Sequence, residues 1–266
     1  MALEFCSLSS GSSGNCYYLG NGFHGILIDA GISGAAIRKA LKNLGVSMQT
    51  IMGVLITHNH SDHVRGLYPL TVKNHLPAFT SHKVWESLGY VKDKISSDCI
   101  REIGLQQKFH LAGFTIEAFP VSHDAPETIG FHICSGDKKI TIATDLGHIC
   151  QTAAPYIKAA NLLVIESNYD EEMLVNGKYP YFLKERVRSD HGHLGNHQTS
   201  AFLAENMSEH LSHICLAHLS QNNNSPEKAM DTLRKSFLEK GIALNGKPQI
   251  MVLNRNMPSE MIKVNL

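Results

Sequence analysis

The chain has 266 residues, 43% hydrophobic and 18% charged, enough apolar material for one large domain or two small ones. Its 24 basic and 24 acidic residues give a formal net charge of zero, so no global field recruits nucleic acid or acidic membranes, though a local basic groove remains open. Sixteen histidines exceed what packing needs and fit imidazole ligation. The six cysteines (Cys6, Cys16, Cys99, Cys134, Cys150 and Cys215) include no C-x-x-C pair and read as small buried hydrophobes of a reducing compartment. Met1-Ala2-Leu3-Glu4-Phe5 carries no leader pattern, and no apolar run approaches the roughly 18 residues of a membrane span, so a cytoplasmic protein is expected.

In chain order, Leu3–Leu8, Cys16–Leu19 and Gly25–Asp29 read as a meander of strands, with a Ser/Gly turn over Ser9–Asn15 that is either punctuation or an anion-holding nest. Ser33 predicts an N-cap for a helix to Leu44, stopped by Gly45. A strand over Ile51–Thr57 precedes a helix over Asp62–Asn74, capped by Ser61 and kinked or ended early at Pro69. Strands follow at Pro77–Thr80, Asp98–Glu102, Lys108–Leu111, Phe114–Val121, Ile129–Cys134 and Lys139–Ala143. Helices are then predicted over Ile149–Ala160, Tyr169–Gly177, Tyr181–Arg188, Asn196–Met207 and Pro226–Lys240. Strands Leu162–Glu166 and Ile214–Ala217 interrupt them, and Gln249–Leu253 closes the chain. Strands followed by helices, twice, indicate an α+β domain of two similar halves.

The chemistry concentrates in Thr57-His58-Asn59-His60-Ser61-Asp62-His63, directly after the apolar run Ile51–Ile56. His58 and His60 alternate and project the same way in an extended loop, whereas Asp62 and His63 open the next helix roughly 100° apart. One pair can hold one metal while the other reaches a second. His123, Asp145 and His218 each follow an apolar run. Any one alone is more often a polar strand terminus, but together with the loop they supply donors for two ions.

This order, HxHxDH and then a lone His, Asp and His, resembles the metallo-β-lactamase superfamily over nearly the whole chain. The resemblance implies a single domain over residues 1–266 with that family's α+β fold, a four-layer αββα sandwich. It implies one metal on His58, His60 and His123, a second on Asp62, His63 and His218, and Asp145 as the bridging carboxylate. Asp29, in Ile28-Asp29-Ala30-Gly31, matches an early Asp that supports the site. The N-terminal Ser7-Leu8-Ser9-Ser10-Gly11-Ser12-Ser13-Gly14-Asn15, the segment Ser189-Asp190-His191-Gly192-His193-Leu194-Gly195-Asn196 and the run from His218 to Asn224 resemble the YycJ/WalJ branch of nuclease-like proteins. Gly195 stands where that branch usually has Ser.

The expected function is therefore a metal-dependent hydrolase, a phosphodiesterase or nuclease acting on DNA, RNA or a small phosphodiester without membrane contact. Two divalent ions would activate the attacking water, zinc by default with manganese or iron acceptable. Asp62 would orient that water as well as bind metal, and His193 would be a general acid or a phosphate clamp. The alternatives are hydrolysis of an ester, lactone or thioester on the same donors, or a di-iron oxidoreductase, against which His60 argues. Lys184-Glu185-Arg186-Val187-Arg188 reads as a solvated helix face or a phosphate path, and no aromatic–basic stacking run stands out.

Overall fold

The structure, a computed structural model, describes residues 2–244 and 246–265; Met1, at the head of the stretch read for a leader, lies outside them. It divides into two compact units. Unit 1 holds the chain up to Phe119, Ala125–Lys138 and the segment from Asn254 onward, and unit 2 holds Pro120–Asp124 and Lys139–Leu253.

Unit 1 contains β1 (Ala2–Ser9), β2 (Cys16–Gly20), β3 (Gly25–Ile28), α1 (Gly34–Asn43), β4 (Ile51–Leu55), α2 (Ser61–Val64) and α3 (Leu67–Asn74). It continues with β5 (Ala78–Thr80), α4 (His82–Ser87), α5 (Tyr90–Asp93), β6 (Ile100–Glu102), β7 (Lys108–Leu111), most of β8 (Phe114–Val121) and β9 (Thr128–Ser135). Unit 2 contains nearly all of β10 (Lys138–Ala143), then α6 (Ala154–Lys158), β11 (Leu162–Glu166), α7 (Glu171–Asn176) and α8 (Tyr181–Arg188). There follow α9 (Asn196–Asn206), β12 (His213–Ala217), α10 (Pro226–Glu239) and β13 (Gln249–Val252), before the chain ends in unit 1 as β14 (Ile262–Asn265).

In unit 1 the strand order is β14-β1-β2-β3-β4-β5-β6. Short glycine-bearing turns join β1, β2 and β3 antiparallel, whereas β3 and β4 run parallel because α1 carries the chain back between them. Ser33 caps α1, its side chain accepting from the Ala36 N–H. Ile37, Ala40 and Leu41 recur at helical spacing and are buried, Ile37 and Leu41 completely. Burial of each such side chain contributes about 1.5–3 kcal/mol. Unit 2 is organised on the parallel run β10-β11-β12-β13. β11 and the apolar residues of β12 are fully buried, the continuous pattern of strands covered on both faces.

Several boundaries differ from those predicted. The helix over Asp62–Asn74 is two helices, parted at Arg65-Gly66 rather than kinked at Pro69. The Gly66 N–H is claimed by the Ala30 carbonyl, and Pro69 sits in the first turn of α3, where a missing N–H costs little. Ser61 is the first helical residue, and His60 takes the cap position without a side-chain cap bond. The helix over Ile149–Ala160 shrinks to Ala154–Lys158 behind turns, with Pro155 at its start. Helices α4 and α5 were missed, although Ser81 caps α4 through the Val84 N–H. The closing strand is β14, antiparallel to β1, not β13.

Gly31 marks where unit 1 tolerates no side chain. Its N–H donates to the Asn15 carbonyl (2.7 Å), the Asn15 N–H donates to the Asp62 carbonyl (2.8 Å), and a Cβ on Gly31 would lie 1.7 Å from that Asp62 oxygen. Gly31→Ala therefore has to push apart two backbones. It is expected to destabilise by about 3 kcal/mol, the upper end of overpacking costs, and to appear as a lowered thermal midpoint by calorimetry.

Candidate metal centre

The chemistry of unit 1 gathers where parallel β3 and β4 end, the register Ile28↔Leu55 bringing Asp29 beside Thr57. Asp29 has a left-handed backbone, φ 59, a conformation that aspartate tolerates better than most residues, and its N–H donates to the Leu55 carbonyl (2.8 Å). Its buried carboxylate accepts from the Thr57 N–H (2.9 Å), the Thr57 hydroxyl (3.0 Å) and His63 Nδ1 (2.8 Å). With its proton committed to Asp29, the Thr57 hydroxyl is left to accept from His58 Nδ1 (3.0 Å). Asn15 fixes the other side of His63. Its Oδ1 accepts from the Gly11 N–H (2.8 Å), which orients Nδ2 as donor to His63 Nε2 (3.0 Å). Asp62 Oδ2 lies 3.6 Å from the same nitrogen, and the rings of His60 and His63 are 4.6 and 4.1 Å from that of His58. Unit 1 thus brings together His58, His60, Asp62 and His63.

The site residues of unit 2 also lie beyond strand ends. Asp145 follows β10, Glu166 ends β11 and His218 follows β12, and the registers Ala143↔Ile165 and Glu166↔Ala217 put Glu166 in the middle. Asp145 and His218 again have left-handed backbones, φ 59 and 56. Glu166 is completely buried. Its Oε1 accepts from His193 Nδ1 (2.7 Å) and His218 Nδ1 (2.9 Å), and its Oε2 accepts from the Leu146 N–H (2.9 Å) and the Leu194 N–H (3.4 Å). Desolvation works against its charge, but the His193 and His218 imidazoles outweigh it and hold the carboxyl far below the usual carboxylate range. His123 directs Nδ1 at the Gly192 carbonyl (2.9 Å), and its Nε2 lies 3.3 Å from Asp124 and 3.8 Å from Asp145. Burial pushes the His123 imidazole down, against the pull of Asp145, so the ring is held in its neutral, ligand-competent form at pH 7. The His193 ring is 5.0 Å from that of His123 and 5.3 Å from that of His218. Unit 2 thus brings together His123, Asp145, His193 and His218.

One rule covers five of these imidazoles. His58, His63, His123, His193 and His218 all commit Nδ1 to an oxygen acceptor. The hydrogen-bond network therefore assigns the proton to Nδ1 and leaves the Nε2 lone pair as the reactive atom, the arrangement by which supporting groups orient metal-binding histidines. Imidazole nitrogens with carboxylate oxygens suit a divalent cation such as zinc, manganese or iron. In unit 2, ligand atoms of Asp145, Glu166, His193 and His218 lie within 4.8 Å of one another. Glu166 already receives four donors, so it acts as the orienting base of that set.

Glu166 is the functional residue that sequence reasoning missed. The signal was present, since it ends an apolar strand as Asp145 and His218 follow theirs, but it was absorbed into the predicted strand. Asn15, Thr57 and Asn168 were also missed; Asn168 Nδ2 donates to the His218 carbonyl at 2.8 Å. The role of Asp29 is now specific: it orients His63 directly and His58 through Thr57.

Residues 24–214 match the family model described as the beta-lactamase superfamily domain. An exodeoxyribonuclease YycJ of Bacillus anthracis is 35% identical over 263 residues, covering 98% of this chain and 99% of that protein. The chain belongs to the metallo-β-lactamase superfamily. An exodeoxyribonuclease WalJ of Streptococcus pneumoniae is 33% identical over 237 residues, 88% of this chain and 87% of its own. The crystal structure of the metallo-β-lactamase fold protein YhfI from Bacillus subtilis superposes with a TM-score of 0.70 at 16% identity, over 97% of this chain and 99% of that one. That agreement bears out the expected α+β, metallo-β-lactamase fold class. The superfamily member described here has glycine at 195 for a local reason. A Cβ there would lie 2.9 Å from the buried Tyr169 ring, so the space a serine would need is filled by that ring.

Glu166→Gln keeps the shape of the side chain but sets an amide N–H₂ among imidazole and backbone N–H donors. Metal affinity is expected to fall about 10- to 100-fold, as for loss of other supporting groups, read as retained metal under titration with a chromogenic chelator. Unchanged retention would show that Glu166 does not orient a ligand.

Proposed function

We propose that this chain is a metal-dependent phosphodiesterase that degrades DNA from a strand end. The likeness to exodeoxyribonucleases along almost their whole length supports the substrate class. The observation that carries the mechanism is the shared carboxylate: Glu166 Oε1 takes both His218, expected to bind metal, and His193, which stands beside the expected ligands.

The metal ligands proposed are His58, His60, Asp62 and His63 of unit 1 and His123, Asp145 and His218 of unit 2, in the two sets that the motif order implies. The donor chemistry supports two divalent ions with zinc as the default. Bound there, such ions neutralise charge on the phosphodiester oxygens and acidify water. Asp62, at the N-terminus of α2, orients the attacking water as a hydrogen-bond acceptor while lending an oxygen to metal. His193 holds a proton at Nε2 for the departing sugar oxygen, and the Glu166 carboxylate 2.7 Å from Nδ1 is the partner that the imidazolium needs. Nδ1 bonds set the ring planes of His58, His63, His123 and His218 and so aim Nε2, and at His63 a bound metal would take the place of the Asn15 amide donor. The relatives' matches span segments of both units, which supports keeping the single-domain reading over residues 1–266 as part of this proposal. No helix among the described residues is long and apolar enough to cross a membrane. A DNA substrate supports a cytoplasmic place of action.

Turnover of bis(p-nitrophenyl) phosphate and of end-labelled DNA by zinc- or manganese-loaded enzyme tests the reading, and absence of both activities sinks it. Loss of a general acid costs about a hundred- to ten-thousand-fold. His193→Ala is expected to lose that much on DNA and much less on bis(p-nitrophenyl) phosphate, because nitrophenolate departs without a proton and a sugar alkoxide does not. Equal losses on both would make His193 a phosphate clamp, and unchanged rates would remove it from the mechanism.

A further inference from the structure

Residues Gly177–Arg188 read G-K-Y-P-Y-F-L-K-E-R-V-R. Three aromatics interleave with four cations (Lys178, Lys184, Arg186, Arg188) and one carboxylate (Glu185), a local charge of +3 in a chain of zero net charge. The adjacent Tyr181 and Phe182 open α8 with 77% and 73% of their surface exposed. Scattered single hydrophobics on a surface need no explanation, but two neighbouring aromatics on a helix that buries none of its residues serve no core.

The other end of α8 is anchored beside the catalytic groups of unit 2. Arg186 pairs with Asp124 (2.5 Å), whose other oxygen lies 3.3 Å from His123 Nε2, and Arg188 pairs with Glu171 (2.8 Å). The His193 N–H donates to the Val187 carbonyl (2.9 Å), and a Cβ on Gly192 would lie 2.2 Å from the Arg186 carbonyl. The helix is thus a short rigid arm. At 1.5 Å per residue its eight residues hold the aromatic pair about 10 Å from the end that touches His193.

We propose that Tyr181 and Phe182 form a stacking platform for the bases of a single DNA strand and lead its end towards His193. The occupant follows from charge and chemistry. Arg186 and Arg188 are engaged by Asp124 and Glu171, so the cation offered to an intervening phosphate is the exposed Lys178, three residues before Tyr181, and every base offers a π face to an exposed ring. This platform rests on the nuclease reading and adds to it a preference for unpaired ends, because bases stacked within a duplex offer no free face.

The test separates the two. Affinity for a fluorescein-labelled oligothymidylate is measured by anisotropy for the zinc-loaded wild type and for Tyr181→Ala/Phe182→Ala, with bis(p-nitrophenyl) phosphate turnover as the control. Loss of two stacking contacts is expected to weaken strand binding about 30-fold or more, leaving the slope of log affinity against log salt and the turnover of the small diester unchanged. Lys178→Ala is expected to lower that slope. Strand affinity unchanged in the aromatic variant overturns the platform while leaving the nuclease reading intact. Failure of the wild type to turn over both the small diester and end-labelled DNA strikes the nuclease reading, and the binding comparison still decides the platform. A wild-type dimer by light scattering that the aromatic variant abolishes, with strand affinity unchanged, would assign the face to a second copy of the chain and overturn the proposal.

Discussion

The site depends on one constraint, that an imidazole can ligate or transfer a proton at Nε2 only if something else holds the proton at Nδ1. Water offers no such discrimination, so the protein supplies fixed acceptors. Two buried carboxylates carry most of this burden, Asp29 in unit 1 and Glu166 in unit 2. Each opposes desolvation, and their environments resolve that opposition differently. Burial raises the Asp29 pKa despite His63 and Thr57, whereas at Glu166 desolvation is outweighed by the His193 and His218 imidazoles, which drive it the other way. Asp29 stretches its single imidazole contact to a second ring by relaying through Thr57, so removal of that hydroxyl would break the link to His58 Nδ1 although Asp29 remained.

Both units meet this constraint at the same topological place. The carboxyl ends of neighbouring parallel strands bring residues distant in sequence within hydrogen-bond reach, and irregular backbone beyond those ends can be bent to purpose. Asp29, Asp145 and His218 all turn through left-handed φ within two residues of their strands' ends. That turn costs a non-glycine residue about 1–2 kcal/mol, and the surrounding ladder bonds have to hold it. The Asp29 N–H on the Leu55 carbonyl and the Asn168 amide on the His218 carbonyl are two of the bonds that do so.

Much of this was legible in residue pattern. Histidines alternating after an apolar run, and single His or Asp residues after others, are signals that strand periodicity and donor chemistry read directly, and Ser33 with Gly45 bounded α1 correctly. The unread part depended on partners far along the chain. Glu166 looks like one more residue of a buried strand until β12 places His218 beside it. The Ser9–Asn15 turn was weighed as an anion nest, but Asn15 serves His63, 48 residues away. Gly66 rather than Pro69 parts the helices because the decisive acceptor, the Ala30 carbonyl, comes from another segment. The aromatic–basic run emerges only when Lys184–Arg188 is read together with Lys178–Phe182, which the start of α8 joins.

The sharing of Glu166 has a consequence for specificity. One oxygen orients both His218 and His193, so the metal retention and proton delivery proposed for them would not be adjusted separately through that carboxylate. On that proposal, a change that favours another leaving group by altering Glu166 would also loosen the metal. The donor set itself fits esters and thioesters as well as phosphodiesters, because the cation polarises any of them. Discrimination therefore falls to groups that approach the cluster without joining its Nδ1 network. Tyr169, packed where a Gly195 side chain would stand, and α8, tied in through Arg186 and Asp124, satisfy that condition. Substitutions there can change which strand is held while leaving every imidazole where it is.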